Sequence, residues 1–154
     1  MSSKIDFFEK NMDIETSGKI ISDIQNSNWG NILNGLCSIK DDSIILDHIY
    51  VKYFATQVTY CVILNHITTC IDTILLENSN FNVHANLKNL TLADIDKHKE
   101  FIQNISIILK QKYTNKLTKC SIYNAPFVFS QILNIVSLFI DKETQTKIQL
   151  VQKK

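Results

Sequence analysis

Ile122-Tyr-Asn-Ala-Pro-Phe-Val-Phe-Ser-Gln-Ile-Leu-Asn-Ile-Val-Ser-Leu-Phe-Ile-Asp-Lys-Glu-Thr-Gln-Thr-Lys-Ile148 joins an apolar strand, a proline-started helix and a polar turn into a second strand. The residue ahead of a proline is pushed out of the α region, so Ala125 is expected extended and Asn124 ends the strand. Pro126 suits the first helical position, where its missing N–H has no intrahelical partner to lose. From Phe127 to Ile140 the polar residues are Ser130, Gln131, Asn134 and Ser137. At ~100° per residue they cover only about a third of the circumference. Packing on a sheet needs one apolar stripe, and this helix carries a wider one. It is either buried on two sides, the commoner outcome for such a composition, or set against something apolar.

Outward from this stretch the elements alternate. Phe81, Val83, Ala85 and Leu87 interleave with Asn82, His84 and Asn86, the period-2 pattern of a strand. Thr91 to Asp94 can cap a helix that runs to about Lys112, with Ile95, Phe101, Ile102, Ile105 and Ile108 inward. Lys119–Tyr123 and Lys147–Val151 read as strands. Two successive strand–helix–strand units require parallel pairing with right-handed crossovers.

Residues 47–77 carry apolar positions every three or four residues, from Tyr50 to Leu75, and read as one long helix with room for a bend. Ahead of it, Ile44–Leu46 is a brief strand and Ile32–Ile39 fits helix or strand. Residues 4–12 and 16–26 read as short amphipathic helices.

Composition narrows the function classes. The 154 residues suit one domain, with 45% hydrophobic and 20% charged residues and a net charge of +1. That balance argues against nucleic acid as a partner. All 16 cationic residues are lysine, so anion recognition must use ammonium groups and backbone N–H rather than a guanidinium fork. The four cysteines lack C-x-x-C spacing and no signal peptide is evident, which points to free thiols in the cytoplasm. Val58–Leu76 is too polar to span a membrane.

His66 and Cys70 share a helical face but lack a second ligand pair, so a buried core pair is expected there and no metal. His48, His84 and His98 are scattered, no serine or cysteine sits on a nucleophile elbow, and no phosphate loop occurs. No catalysis and no cofactor are expected.

Asn124-Ala-Pro-Phe, the apolar helix behind it and Phe139-Ile-Asp-Lys-Glu-Thr-Gln-Thr-Lys-Ile148 resemble the core signature of the CRAL-TRIO domain. That family holds a yeast phosphatidylinositol-transfer protein and the tocopherol- and retinaldehyde-binding proteins. Phe81-Asn-Val-His-Ala-Asn-Leu-Lys-Asn-Leu-Thr-Leu92 is similar to the family's strand ending in Asp-Leu-Lys-Gly. The resemblance covers residues 80–151 well and 45–80 loosely.

It implies an α/β fold: a small, mainly parallel sheet flanked by helices, with Phe127–Phe139 as a movable gate over an apolar pocket. Residues 1–40 would form an N-terminal helical segment and 41–154 a lipid-binding domain, shorter than usual at its C-terminus. Phe81, Val83, Phe127, Phe129, Ile132, Val136 and Phe139 would contact acyl chain or membrane. Thr144 and Lys147 fall on the family's headgroup threonine and lysine, and Asn115 stands where inositol-binding members carry glutamate. Phe81 and Val83 replace hydroxyl residues of phosphatidylcholine-exchanging members, which argues against choline lipids.

The implied function is binding, and transfer between membranes, of a phosphoinositide-like phospholipid or another small hydrophobic molecule. Its setting would be cytoplasmic, with transient peripheral contact with a membrane surface. The alternative is a degenerate CRAL-TRIO fold that serves as a ligand-free protein-interaction scaffold.

Overall fold

In the computed structural model, Ile5 and residues 17–151 are described. The order of elements is α1 (Ser17–Gln25), α2 (Trp29–Leu36), β1 (Cys37–Lys40), β2 (Ser43–Asp47), α3 (His48–Phe54), α4 (Tyr60–Leu75), β3 (Phe81–Asn86), α5 (Leu92–Lys97), α6 (Lys99–Lys112), β4 (Leu117–Tyr123), α7 (Phe129–Val136), α8 (Lys142–Thr146) and β5 (Ile148–Leu150). The fold is α/β.

The five strands lie in chain order, β1-β2-β3-β4-β5. β1 and β2 form an antiparallel hairpin, and every later pairing is parallel. Asp41 makes the hairpin turn with φ 56, a left-handed conformation that a short polar side chain tolerates. In-order parallel strands joined by crossovers of one hand place the connecting helices on one sheet face.

That face holds the core. Ile44, Phe81, Val83, Ala85 and Ile122 from the strands join Ile63, Ile67, Ile71 and Ile74 of α4 and Phe101 of α6 in one buried cluster. Ile20 of α1 and Ile32 and Leu36 of α2 belong to the same cluster. The segment before residue 41 thus shares its core with the rest. Ile45 and Tyr123, on the opposite face, pack with Ile5 and Val151. The expected helix over residues 4–12 lies outside the described residues except for Ile5.

Three departures from the sequence expectations have local causes. The helix expected over 47–77 is two helices. Thr59 Oγ1 accepts from the Thr56 N–H at 2.8 Å and donates to the Phe54 carbonyl at 2.9 Å, replacing ladder bonds, and Ala55 is extended with ψ 125. The helix expected from Thr91 to Lys112 breaks at His98 (φ −107, ψ 19), which closes α5 and opens α6. Its start is as expected, a capping box between Thr91 and Asp94. The apolar helix is shorter than expected: Pro126 opens a turn, with Phe129 N–H donating to the Pro126 carbonyl at 2.9 Å, before α7 begins.

Candidate functional site

Behind α7 lies a cavity of about 270 Å³. Ile44, Leu46, Val83, Ala85, Cys120 and Ile122 of the sheet form its floor, Ile102, Ile105 and Leu109 of α6 one wall, and Phe129, Ile132, Leu133 and Val136 of α7 another. An apolar cavity of about 150 Å³ takes a benzene, so this one takes on the order of ten carbons. Cys120 adds no charge to the floor, because burial pushes its thiol up to about 12.

The breadth of apolar surface on α7 is divided between two sides. Phe129 is buried, and Ile132 and Val136 are half-buried against the cavity. Leu133 lines the cavity and is still 37% exposed. Beyond the two helix ends, Phe127 is 94% and Leu138 77% exposed.

Of the seven residues expected at the pocket or gate, Val83, Phe129, Ile132 and Val136 line the cavity. Phe81 does not: it is fully buried and its ring meets Tyr113 edge-on at 5.8 Å. Phe127 points to the exterior, and half-buried Phe139 is outside the lining. Leu133, Ile140 and the α6 face were not singled out beforehand. The inward periodicity of Ile102 and Ile105 was visible, but solid core and cavity wall give the same pattern.

Two polar clusters stand at opposite edges of the sheet. Because β2 to β5 are parallel, residues just before β4 and β5 lie at one edge and residues just after β2 and β3 at the other. At the first edge, Asn115, Thr144 and Lys147 meet around a recess of about 30 Å³, together with Lys110, Tyr113 and Asp141. Thr144 lines both this recess and the large cavity. Asp141 caps α8, its Oδ1 accepting from the Thr144 N–H at 2.7 Å. Bonds from Thr144, reinforced by nearby Lys147 and Lys110, hold its carboxyl below the usual carboxylate range.

At the second edge, Asp47, His48, Asn86, Asp94 and His98 border the cavity. Asp94 Oδ2 lies 3.3 Å from His48 Nε2 and 3.2 Å from Lys52 Nζ. Burial pushes the Asp94 carboxyl upward, but hydrogen bonds from the Thr91 backbone, Lys52 and the Thr91 hydroxyl outweigh it and leave the group below its ordinary value. His98 Nδ1 is 2.7 Å from the Tyr60 hydroxyl. Burial lowers the pKa of both histidines below the ordinary 6.5. Asp94 and His98 are four residues apart, a spacing that helical periodicity can bring together, but His48 is 46 residues before Asp94 and no local spacing reveals it. Only the parallel topology brings them together.

His66 and Cys70 sit as a core pair, with His66 Nε2 2.7 Å from the Cys37 carbonyl and Cys70 Sγ 3.8 Å from the same nitrogen. Among the described residues, no cluster of three or more His, Cys, Asp or Glu side chains could hold a metal ion. Also among them, no helix is long and apolar enough to cross a membrane.

A mostly parallel sheet with its connecting helices on one face encloses an apolar chamber suited to an apolar ligand. Residues 45–154 match the CRAL/TRIO domain family, and this chain belongs to it. CRAL-TRIO domains bind and carry lipid and perform no chemistry. The crystal structure of Sfh5 is similar, with a TM-score of 0.63 at 13% identity over 92% of this chain and 67% of that one. At that identity the likeness shows the fold alone. A search of curated proteins gives no match.

Proposed function

We propose that the chain binds one apolar chain of a phospholipid, phosphoinositide-like in its headgroup, or a hydrophobic molecule of similar girth, and transfers it between membranes. The body of the ligand lies in the 270 Å³ cavity, a volume near the lower end of the ~300–1,000 Å³ range of small-molecule pockets. The carrying observation is the double position of Thr144. With Leu109, Leu117 and Ile140, it borders both the apolar cavity and the recess formed with Lys147, Asn115 and Lys110, and it is the polar member of that shared wall, so an acyl chain and its anionic head can occupy adjoining spaces.

Lysine ammonium groups beside a threonine hydroxyl suit a phosphate oxygen. Asp141 in the same recess offsets part of that positive charge, which favours a monoester or diester phosphate over a more highly charged group. Entry and exit follow from α7, whose exposed neighbours Phe127 and Leu138 can enter a bilayer surface while its inner residues release the ligand.

Organic extraction of the purified protein followed by mass spectrometry tests the first claim, with a stoichiometric apolar compound expected. Val136→Phe fills the cavity from its wall and is expected to abolish transfer of a fluorescent phosphatidylinositol between vesicles, with stability changed by about 1 kcal/mol or less. An empty extract together with unimpaired transfer in V136F overturns the reading. Lys147→Glu is expected to slow transfer of phosphatidylinositol more than that of an uncharged diacylglycerol.

A further inference from the structure

We infer that His98, with the His48–Asp94 pair beside it, forms a second polar subsite, which grips an uncharged oxygen on the inner part of the ligand. The inference deepens the binding reading above and rests on it. His98 is 3% exposed and forms part of the cavity border. Its Nδ1 is engaged by Tyr60, whereas Nε2 is buried with no hydrogen-bond partner. A buried ring nitrogen without a partner loses its hydration with nothing in exchange, and native structures seldom tolerate that without reason.

We assign the tautomer from the shorter contact. The Tyr60 hydroxyl is 2.7 Å from Nδ1 and 3.5 Å from the Lys97 carbonyl, so its proton goes to Nδ1. Nε2 then carries the ring's hydrogen and needs an acceptor. The ring is fixed in place by the same contact and by its position at the α5–α6 break.

Charge selects the kind of acceptor. The cluster's two carboxylates are already engaged: Asp94 pairs with Lys52 at 3.2 Å and lies 3.3 Å from the neutral His48 ring, and Asp47 accepts from the Ile49 N–H and the Asn86 amide. Burial keeps both imidazoles from protonating, and neither Lys52 nor Lys97, whose charge also acts on His98, lines the cavity, so a ligand atom at this end meets neutral rings. An ester or ketone carbonyl, an aldehyde or an alcohol oxygen fits; a carboxylate does not. The ligand therefore has an uncharged oxygen function at the edge of the sheet opposite Thr144, whatever group it presents to the recess.

The test uses four ten-carbon probes: decane, methyl nonanoate, 1-decanol and decanoate. Each competes with a solvatochromic apolar dye for the full chain. The wild type is expected to bind the ester and the alcohol about tenfold more tightly than decane, the effect of one buried hydrogen bond and its avoided desolvation. Decanoate, which can seat its carboxylate against Lys147 and Lys110 of the recess, is expected to bind His98→Phe as tightly as the wild type. His98→Phe should bind decane at least as well as wild type and lose the preference for ester. His98→Gln, which keeps an N–H near the Nε2 position, should retain most of it.

Equal wild-type affinities for decane and ester overturn the inference and leave the cavity reading intact. An unchanged ester preference in H98F also overturns it. If no probe displaces the dye from the wild type, the cavity reading falls and this inference falls with it. If H98F does not fold, the wild-type series and H98Q decide alone.

Discussion

α4 and α7 are both strongly apolar helices packed on one sheet, yet they behave as opposites. In α4, Ile63, Ile67, Cys70, Ile71 and Ile74 are all buried. In α7 only Phe129 is buried, and the other apolar residues face either the cavity or solvent. Apolar content reports what a helix could bury, not what it does bury. α4 turns Ile67 and Ile71 to the far border of the cavity and packs Ile63, Cys70 and Ile74 as solid core, whereas the inner face of α7 is built around the space.

The largest effect should come from deleting side-chain volume on the solid side. Ile63→Ala removes a fully buried side chain and is expected to cost ~2–5 kcal/mol in chemical denaturation. Ile132→Ala, at the cavity wall, should cost well under half as much, since part of its surface has no packing partner to lose. Equal losses at the two positions would erase the distinction between the helices. Overpacking comes next. A Cβ on Gly35 would lie 2.2 Å from the Tyr50 ring where α2 meets α3, so Gly35→Ala is expected to cost ~1–3 kcal/mol. The same denaturation series should show Ile132→Phe nearly neutral, because the cavity can accept the added volume.

A smaller effect comes from acid, at the polar edge near α5. His48 and His98 have pKa values lowered by burial, so below the unfolded value of 6.5 the unfolded chain binds protons that the native chain resists. The stability they contribute is fully present above pH 6.5 and is lost progressively as pH falls through the folded values. Thermal unfolding is expected to show a falling Tm from pH 6.5 towards 5, weaker in His98→Gln. A flat profile over that interval would place both rings in a wetter setting than their burial implies.

The sequence disclosed the periodic parts of this fold. Alternation exposed β3, the proline marked the turn into α7, and the Thr91–Asp94 pair marked the start of α5. It did not disclose the two helix breaks, because Thr59 and His98 look like ordinary helix residues until their side chains find Phe54 and Tyr60. The site was legible in part for the same reason. Helical spacing showed only how broad the apolar surface of α7 is; Phe129, Ile132 and Val136, like Thr144, Lys147 and Asn115, were expected from the resemblance. Phe81 was misplaced because burial against Tyr113 and exposure to a cavity produce the same strand pattern. His48 reaches Asp94 across 46 residues, a contact with no local signal.

The strand order has a consequence for assembly. Each strand pairs with its neighbour in sequence, so the sheet can grow strand by strand in chain order, although each parallel pairing must first close a helical crossover and is slow for that reason. β2, β3 and β4, which supply the cavity floor, all precede α7 in the chain. A nascent chain with those strands paired and α7 still unmade would be an open trough that an apolar molecule could enter unhindered. Loading at birth and exchange at a bilayer would then be separate events with separate kinetics.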